Sequence, residues 1–248
     1  MTAKTYGIVN QKGGVAKTTT VASTGSYLAS RGKETLIIDF DSQGQTATAL
    51  GVDQGNNVFN FLVTGQPPSR WIVPTGRAHL SIIPGDRMTS TAQIVMNAEN
   101  RPLDAIEELL KPLYKDFEYI LFDTAPSIGG VQERAIWASK FVVIPTATEF
   151  MSSDGLTQIL AMIRNLEERG WQGKVAGILP TFYDEQTRES GETLAELQNT
   201  FGALCLSPIH RATVLRECAA EGVTIFEKDP KSRAAQEYAA VAEYLLKL

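Results

Sequence analysis

Residues 6–20 read Tyr6-Gly-Ile-Val-Asn-Gln-Lys-Gly-Gly-Val-Ala-Lys-Thr-Thr-Thr20. An apolar strand runs into the Gly13-Gly14 pair, and Lys17-Thr18 opens a helical segment. This is the chemistry of a phosphate cradle. Glycines let successive backbone N–H groups converge on an anion, and a helix N-terminus adds partial positive charge. A lysine at the position of Lys17 reaches β and γ phosphates, and a hydroxyl at Thr18 ligates Mg²⁺. Gly13, Gly14, Val15, Ala16, Lys17, Thr18 and Thr19 are therefore the nucleotide-binding candidates. The strict pattern G-x-x-x-x-G-K-[ST] is not met, because Gln11 and Ala16 stand at its two glycine positions. Taken alone, the stretch is also compatible with a glycine turn flanked by two solvated lysines.

Outward from the loop, apolar β-branched runs recur at Tyr6–Asn10, Thr35–Asp39, Leu80–Pro84, Tyr119–Asp123, Phe141–Pro145 and Val175–Leu179. They lack polar alternation, as strands buried on both faces do. Helical spacing separates them at Thr18–Ser30, Pro102–Leu113, Val131–Ala138, Ser153–Arg169, Ser190–Phe201 and Arg233–Leu246. The pattern predicts an α/β fold, a mostly parallel sheet with helices on both faces, as one domain over residues 1–248. Gly51–Gly76 has the weakest periodicity and reads as an irregular excursion with a short helix near Phe59–Val63.

The chain has 248 residues, with 23 basic against 28 acidic side chains and a net charge of −5. That balance excludes a wholesale basic coat for nucleic acid and confines any DNA contact to a local patch. No apolar run approaches the roughly 20 residues a bilayer span needs. The first residues lack the pattern of a secretory signal, so a cytoplasmic protein is expected. Cys205 and Cys218 read as inert thiols, and two cysteines with His79 and His210 make no metal cluster.

Three further stretches extend the loop. Leu36-Ile-Ile-Asp-Phe-Asp-Ser-Gln-Gly-Gln45 places Asp39 near a strand end and Asp41 just beyond it, in the crevice where open α/β sheets bind ligands. Tyr119-Ile-Leu-Phe-Asp-Thr-Ala-Pro-Ser127 delivers Asp123 to another strand end, where a carboxylate can hold Mg²⁺ through water. Ile178-Leu-Pro-Thr-Phe-Tyr-Asp184 is a third strand end. An aspartate pair after a strand also reads as turn formation or helix capping, and an X-Pro-Thr turn is common.

Lys12-Gly-Gly-Val-Ala-Lys-Thr-Thr19 resembles the deviant Walker A motif of the ParA/MinD family of P-loop ATPases, with Lys12 as the signature lysine. The other stretches resemble that family's D-x-D-P-Q-G-N, D-x-x-P-S and strand-end boxes, and Asp229-Pro-Lys-Ser-Arg233 its D-P-x-S motif. The resemblance implies bound ATP and Mg²⁺ and an ATP-dependent homodimer in which Lys12 reaches the partner's phosphates. It further implies catalytic roles for Lys12, Lys17 and Asp41, and metal contacts from Thr18, Asp39 and Asp123. Pro180, Thr181 and Tyr183 would contact the base, and Glu149 the ribose or the signature lysine. Ala16 replaces a glycine that lies against the phosphates; a positive φ there would strain the loop.

The tail from Arg233 carries only Arg233 and Lys247 as cations, too few for a MinD-type membrane helix. The cysteines also lie outside the segments where iron proteins of the superfamily hold a cluster. The ParA branch remains, which implies nonspecific double-stranded DNA, a ParB-like partner, nucleoid association, and segregation of plasmid or chromosome DNA. Its candidate DNA contacts are Arg188, Arg211, Arg216, Lys228, Lys231 and Arg233, with His210 where the family usually has proline. Each cation alone equally suits a solvated charge or an ion pair. The alternatives are a positioning ATPase for a protein cargo, such as a carboxysome or chemotaxis cluster, or a nucleotide-dependent binding module with impaired hydrolysis.

Overall fold

The apolar runs pair as a parallel sheet. The computed structural model describes residues 3–126, 130–149 and 153–248. β1 (Lys4–Ile8) leads through the glycine loop into α1 (Lys17–Ser30), and β2 (Thr35–Phe40) into α2 (Gln45–Ala49) and α3 (Asn57–Val63). β3 (Val73–Pro74) and β4 (Leu80–Ile83) precede α4 (Met88–Ala98) and α5 (Ala105–Leu110). Then β5 (Tyr119–Thr124), α6 (Val131–Trp137), β6 (Phe141–Ala147), α7 (Ser153–Glu168), β7 (Lys174–Thr181) and α8 (Arg188–Phe201) alternate. α9 (Thr213–Glu221), α10 (Ile225–Lys228) and α11 (Arg233–Leu246) follow. The seven strands lie in the order β3-β4-β2-β5-β1-β6-β7, all parallel except β3 at one edge.

Alternate strand residues enter opposite cores. Tyr6, Ile8, Ile37, Ile82 and Leu121 pack against Val21 and Leu28 of α1 and Tyr238, Val241 and Leu245 of α11. Leu36, Ile38, Ile120 and Phe122 face Phe61, Met96, Ile106 and Ala135 on the other side. Val142, Ile144 and Ile178 meet Ile159, Ile163 and Leu166 of α7. The apolar side of α11 is thus part of the core, and the Tyr6 hydroxyl donates to the Leu245 carbonyl at 2.8 Å.

α1 lies close to the sheet because its inward face is small. Gly25 sits where an added Cβ would come within 2.7 Å of Ile37 Cδ1. Parallel pairing sets Ile8 beside Asp123, and Asp123 beside Asp39. Residues paired in register share a face, so both acids emerge on the same side; a one-residue slip would turn one of them away.

All six expected strands form, most of them a residue or two longer or shorter than their apolar runs. The Gly51–Gly76 excursion carries α3 and the edge strand, and it is tied down by Arg77. This guanidinium forks onto Glu227 (2.9 and 2.8 Å) and donates to the carbonyls of Leu50 (2.6 Å) and Gly222 (3.1 Å). The Pro102–Leu113 helix is shorter than expected, with α5 starting at Ala105 and a 3₁₀ turn over Lys111–Leu113, where Pro112 removes a donor. α4 and α9 go beyond the sequence reading. Their apolar stripes are broken by exposed positions, Ile94 being 68% accessible.

Candidate nucleotide site

The loop after β1 has the backbone of an anion nest. Gly14 has φ +70° and Ala16 φ +68°, and α1 begins at the next residue. Lys17 is 6% exposed and donates from Nζ to the Lys12 carbonyl at 3.0 Å. Burial lowers its pKa, while the carboxylates of Asp123 and Asp41 oppose that shift. The Lys12 N–H donates to Asn10 Oδ1 at 2.9 Å, and Gly155 of α7 lies so close that an added Cβ would be 3.0 Å from Lys12 Cβ. Gly13 faces Pro126, 3.9 Å from a Cβ built there.

Asp39 and Asp123 are fully buried. Asp123 Oδ2 accepts from Thr18 Oγ1 (2.7 Å) and from Thr46 Oγ1 of α2 (2.6 Å). Desolvation pushes its carboxyl up to about 6, opposed by the two threonine hydroxyls and Lys17. Asp39 is raised well above the usual carboxylate range by burial and then by the Asp123 charge. It accepts from the N–H groups of Asp41 (3.1 Å) and Thr46 (3.1 Å). Asp41 sits half-buried past the strand end, its Oδ1 taking the Gln43 N–H at 2.9 Å.

Beside the loop lies a cavity of about 290 Å³ lined by Ala16, Thr19, Thr181, Phe182, residues 209–213, Leu215, Arg216, Ala219 and Tyr238. Thr181 Oγ1 donates to the Val15 carbonyl at 3.2 Å, coupling this wall to the loop. The structure brings Thr181 to the cavity. Pro180 and Tyr183 are not among its lining residues and instead hold the 209–211 strap through backbone hydrogen bonds. Phe182, with φ +56°, and Thr46 are site residues that sequence reasoning missed. The one available signal for Thr46 was its place in the stretch after Asp41.

A family model described as an AAA domain matches residues 3–175. The chromosome partitioning protein ParA of Myxococcus xanthus is 31% identical over 247 residues, 97% of this chain and 87% of that protein. The chromosome-partitioning ATPase Soj of Treponema pallidum is 30% identical, over 98% of this chain and 97% of the relative. The chain belongs to the ParA/MinD family of P-loop ATPases. Among solved structures, cobyrinic acid a,c-diamide synthase from Mycobacterium smegmatis, with bound ATP analogue and magnesium, superposes with a TM-score of 0.85. It shares 28% identity and covers 99% of this chain and 95% of its own.

The donor set of this ParA/MinD-family chain suits Mg²⁺. Asp123 Oδ1 is buried with no hydrogen-bond partner, a hard oxygen beside the Thr18 hydroxyl. Thr18 and Asp123 would hold the ion, which supplies charge neutralisation on phosphate oxygens; Asp39 would act behind them through backbone and charge. Ser127 of the D-x-x-P-S stretch lies outside the described residues.

The basic candidates are dispersed among acids. Arg188 pairs with Glu192 (2.6 Å), Arg211 with Glu149, Lys228 with Glu217 (3.3 Å) and Glu221 (2.5 Å), and Arg233 with Glu185 (3.3 Å) and Glu237 (3.0 Å). Arg216 and Lys231 are exposed and make no ion pair with the described residues. Glu149, expected at the ribose or the signature lysine, faces Arg211. No helix among the described residues is long and apolar enough to cross a membrane.

The positive φ at Ala16 has a measurable consequence. A Cβ in the left-handed region costs roughly 1 kcal/mol relative to glycine. Ala16→Gly should raise the melting temperature of the nucleotide-free protein by about 2–4 °C. A thermal scan showing no gain would mean that the surrounding structure, not the Cβ, sets this conformation.

Proposed function

We propose that this ATPase pairs two ATP-bound copies face to face, binds DNA without reading sequence, and segregates plasmid or chromosome DNA with a ParB-like partner. The observation that carries it is the likeness to chromosome-partitioning proteins over nearly the whole chain, continuing past the ATPase match that ends at residue 175. In this cycle Lys17 and Thr18 act on the nucleotide of their own subunit and Lys12 on the partner's. Asp41 orients the water, and hydrolysis separates the copies. One domain carries both switch and DNA surface, and the protein works at the nucleoid.

With a net charge of −5 and four of six candidate cations paired, the single chain offers little to phosphates. Arg216 and Lys231 therefore carry most of the patch, and pairing two copies doubles it. ATP-loaded protein should retain random-sequence duplex DNA with a steep inverse dependence on salt, and Arg216→Glu with Lys231→Glu should weaken retention at least tenfold at saturating ATP, with nucleotide occupancy measured alongside because Arg216 also lines the cavity beside the loop. Retention that survives high salt, or that ignores the double change, would point to a different surface.

A further inference from the structure

His210 occupies the strap that walls the cavity beside the phosphate loop. Ile209 N–H donates to the Pro180 carbonyl (2.9 Å), Tyr183 N–H to Ile209 (3.0 Å), and Arg211 N–H to Tyr183 (2.9 Å), so residues 209–211 are laced to the end of β7. From α11, Glu237 grips the same residue twice. Its Oε2 accepts the His210 backbone N–H at 2.8 Å, and its Oε1 lies 2.6 Å from Nδ1. On the other side of the ring, Arg233 Nη2 is 2.5 Å from Nε2.

That last contact suits one tautomer. A guanidinium has donors only, so Nε2 must be the acceptor and the ring hydrogen sits on Nδ1, donating to Glu237. The side chain is only 15% exposed. The other charged and titratable groups around it are Glu185, whose Oε2 is 3.9 Å from Nε2, Tyr183, whose ring centroid lies 4.8 Å from that of the imidazole in a T-shaped arrangement, and Arg211, turned toward Glu149. A proton on Nε2 would set donor against donor. Arg233 Nη2 would have to turn away from the ring, leaving the guanidinium on Glu185 (3.3 Å) and Glu237 (3.0 Å) alone.

We propose that His210 is a positioning residue for the nucleotide: neutral, it locks the strap to α11 through Glu237 and Arg233, and protonated, it releases Arg233 and loosens the wall of the base cavity. The inference rests on the reading of that cavity as the nucleotide pocket. It makes nucleotide affinity sensitive to acidification through a residue that never touches the phosphates.

The test uses the full chain with MgADP as probe between pH 5.5 and 8.5. With two histidines in the sequence, nitrogen-15 spectra resolve His210 from His79. His210 should show the Nδ1–H form at pH 8. MgADP affinity should fall roughly fivefold as His210 gains its proton, the scale of one lost charge-assisted hydrogen bond. His210→Asn keeps a donor for Glu237 and cannot be protonated, so it should lack this component. The titrations of ADP and Asp123 remain in both proteins and cancel in the comparison. His79→Asn should behave as the unaltered chain, and His210→Gln serves if the asparagine variant does not fold. An Nε2–H tautomer, or identical pH profiles with and without His210, overturns the proposal while leaving the nucleotide pocket standing. Failure of MgADP to bind at any pH overturns both.

Discussion

Replacing Lys17 by glutamine is expected to lower ATP hydrolysis by at least 100-fold and to weaken ATP binding by roughly 30- to 1,000-fold, or about 2–4 kcal/mol. The side chain is buried at the first residue of α1, and its ammonium rests on the Lys12 carbonyl within the loop. It is therefore held where phosphate oxygens would replace that carbonyl, with its desolvation cost already met in the folded protein. Glutamine is one atom shorter, keeps an N–H donor and brings no charge. Asp41, Asp39 and Asp123 would then face the triphosphate without the nearest compensating cation. Phosphate release and nucleotide titration measure the two effects. Hydrolysis within tenfold of the unaltered protein would remove Lys17 from the catalytic machinery.

Asp41→Asn is expected to separate binding from chemistry. The residue follows β2 directly, and its backbone N–H is held by Asp39 and its carboxylate by the Gln43 N–H. Asparagine fits that geometry. It loses the anionic acceptor that would align an attacking water, so hydrolysis should fall about 100- to 1,000-fold with ATP affinity within a few-fold. Under the proposed cycle the variant also stays on DNA after ATP loading. A loss of affinity equal to the loss of turnover would instead make Asp41 a determinant of nucleotide binding.

The strands were legible because each is covered on both faces and so needs an unbroken apolar run; Thr35–Phe40 and Tyr119–Thr124 are buried throughout. The phosphate loop was legible because its chemistry is local, a glycine pair and a Lys-Thr pair within a few residues. α9 was not, since its burial is limited to Cys218 and the helix is held by neighbours distant in sequence. The cavity beside the phosphate loop was legible in part. Thr181 lines it, whereas Phe182 enters through a left-handed backbone that no side-chain pattern announces.

By itself, the sequence determined the alternation of buried strands and helices, the phosphate loop and the acids at two strand ends, because these depend on neighbours along the chain. The tertiary structure decided what depends on register and on meetings between distant segments. Strand pairing put Asp39 beside Asp123, one of whose oxygens is buried without a hydrogen-bond partner. Chain direction through the loop gave Ala16 its positive φ. Meetings of separate segments put Arg211 against Glu149, Lys228 against Glu217 and Glu221, and Arg233 against Glu185, and set His210 between Glu237 and Arg233. Charge counts along a chain carry no distances, and Coulomb energies depend on little else.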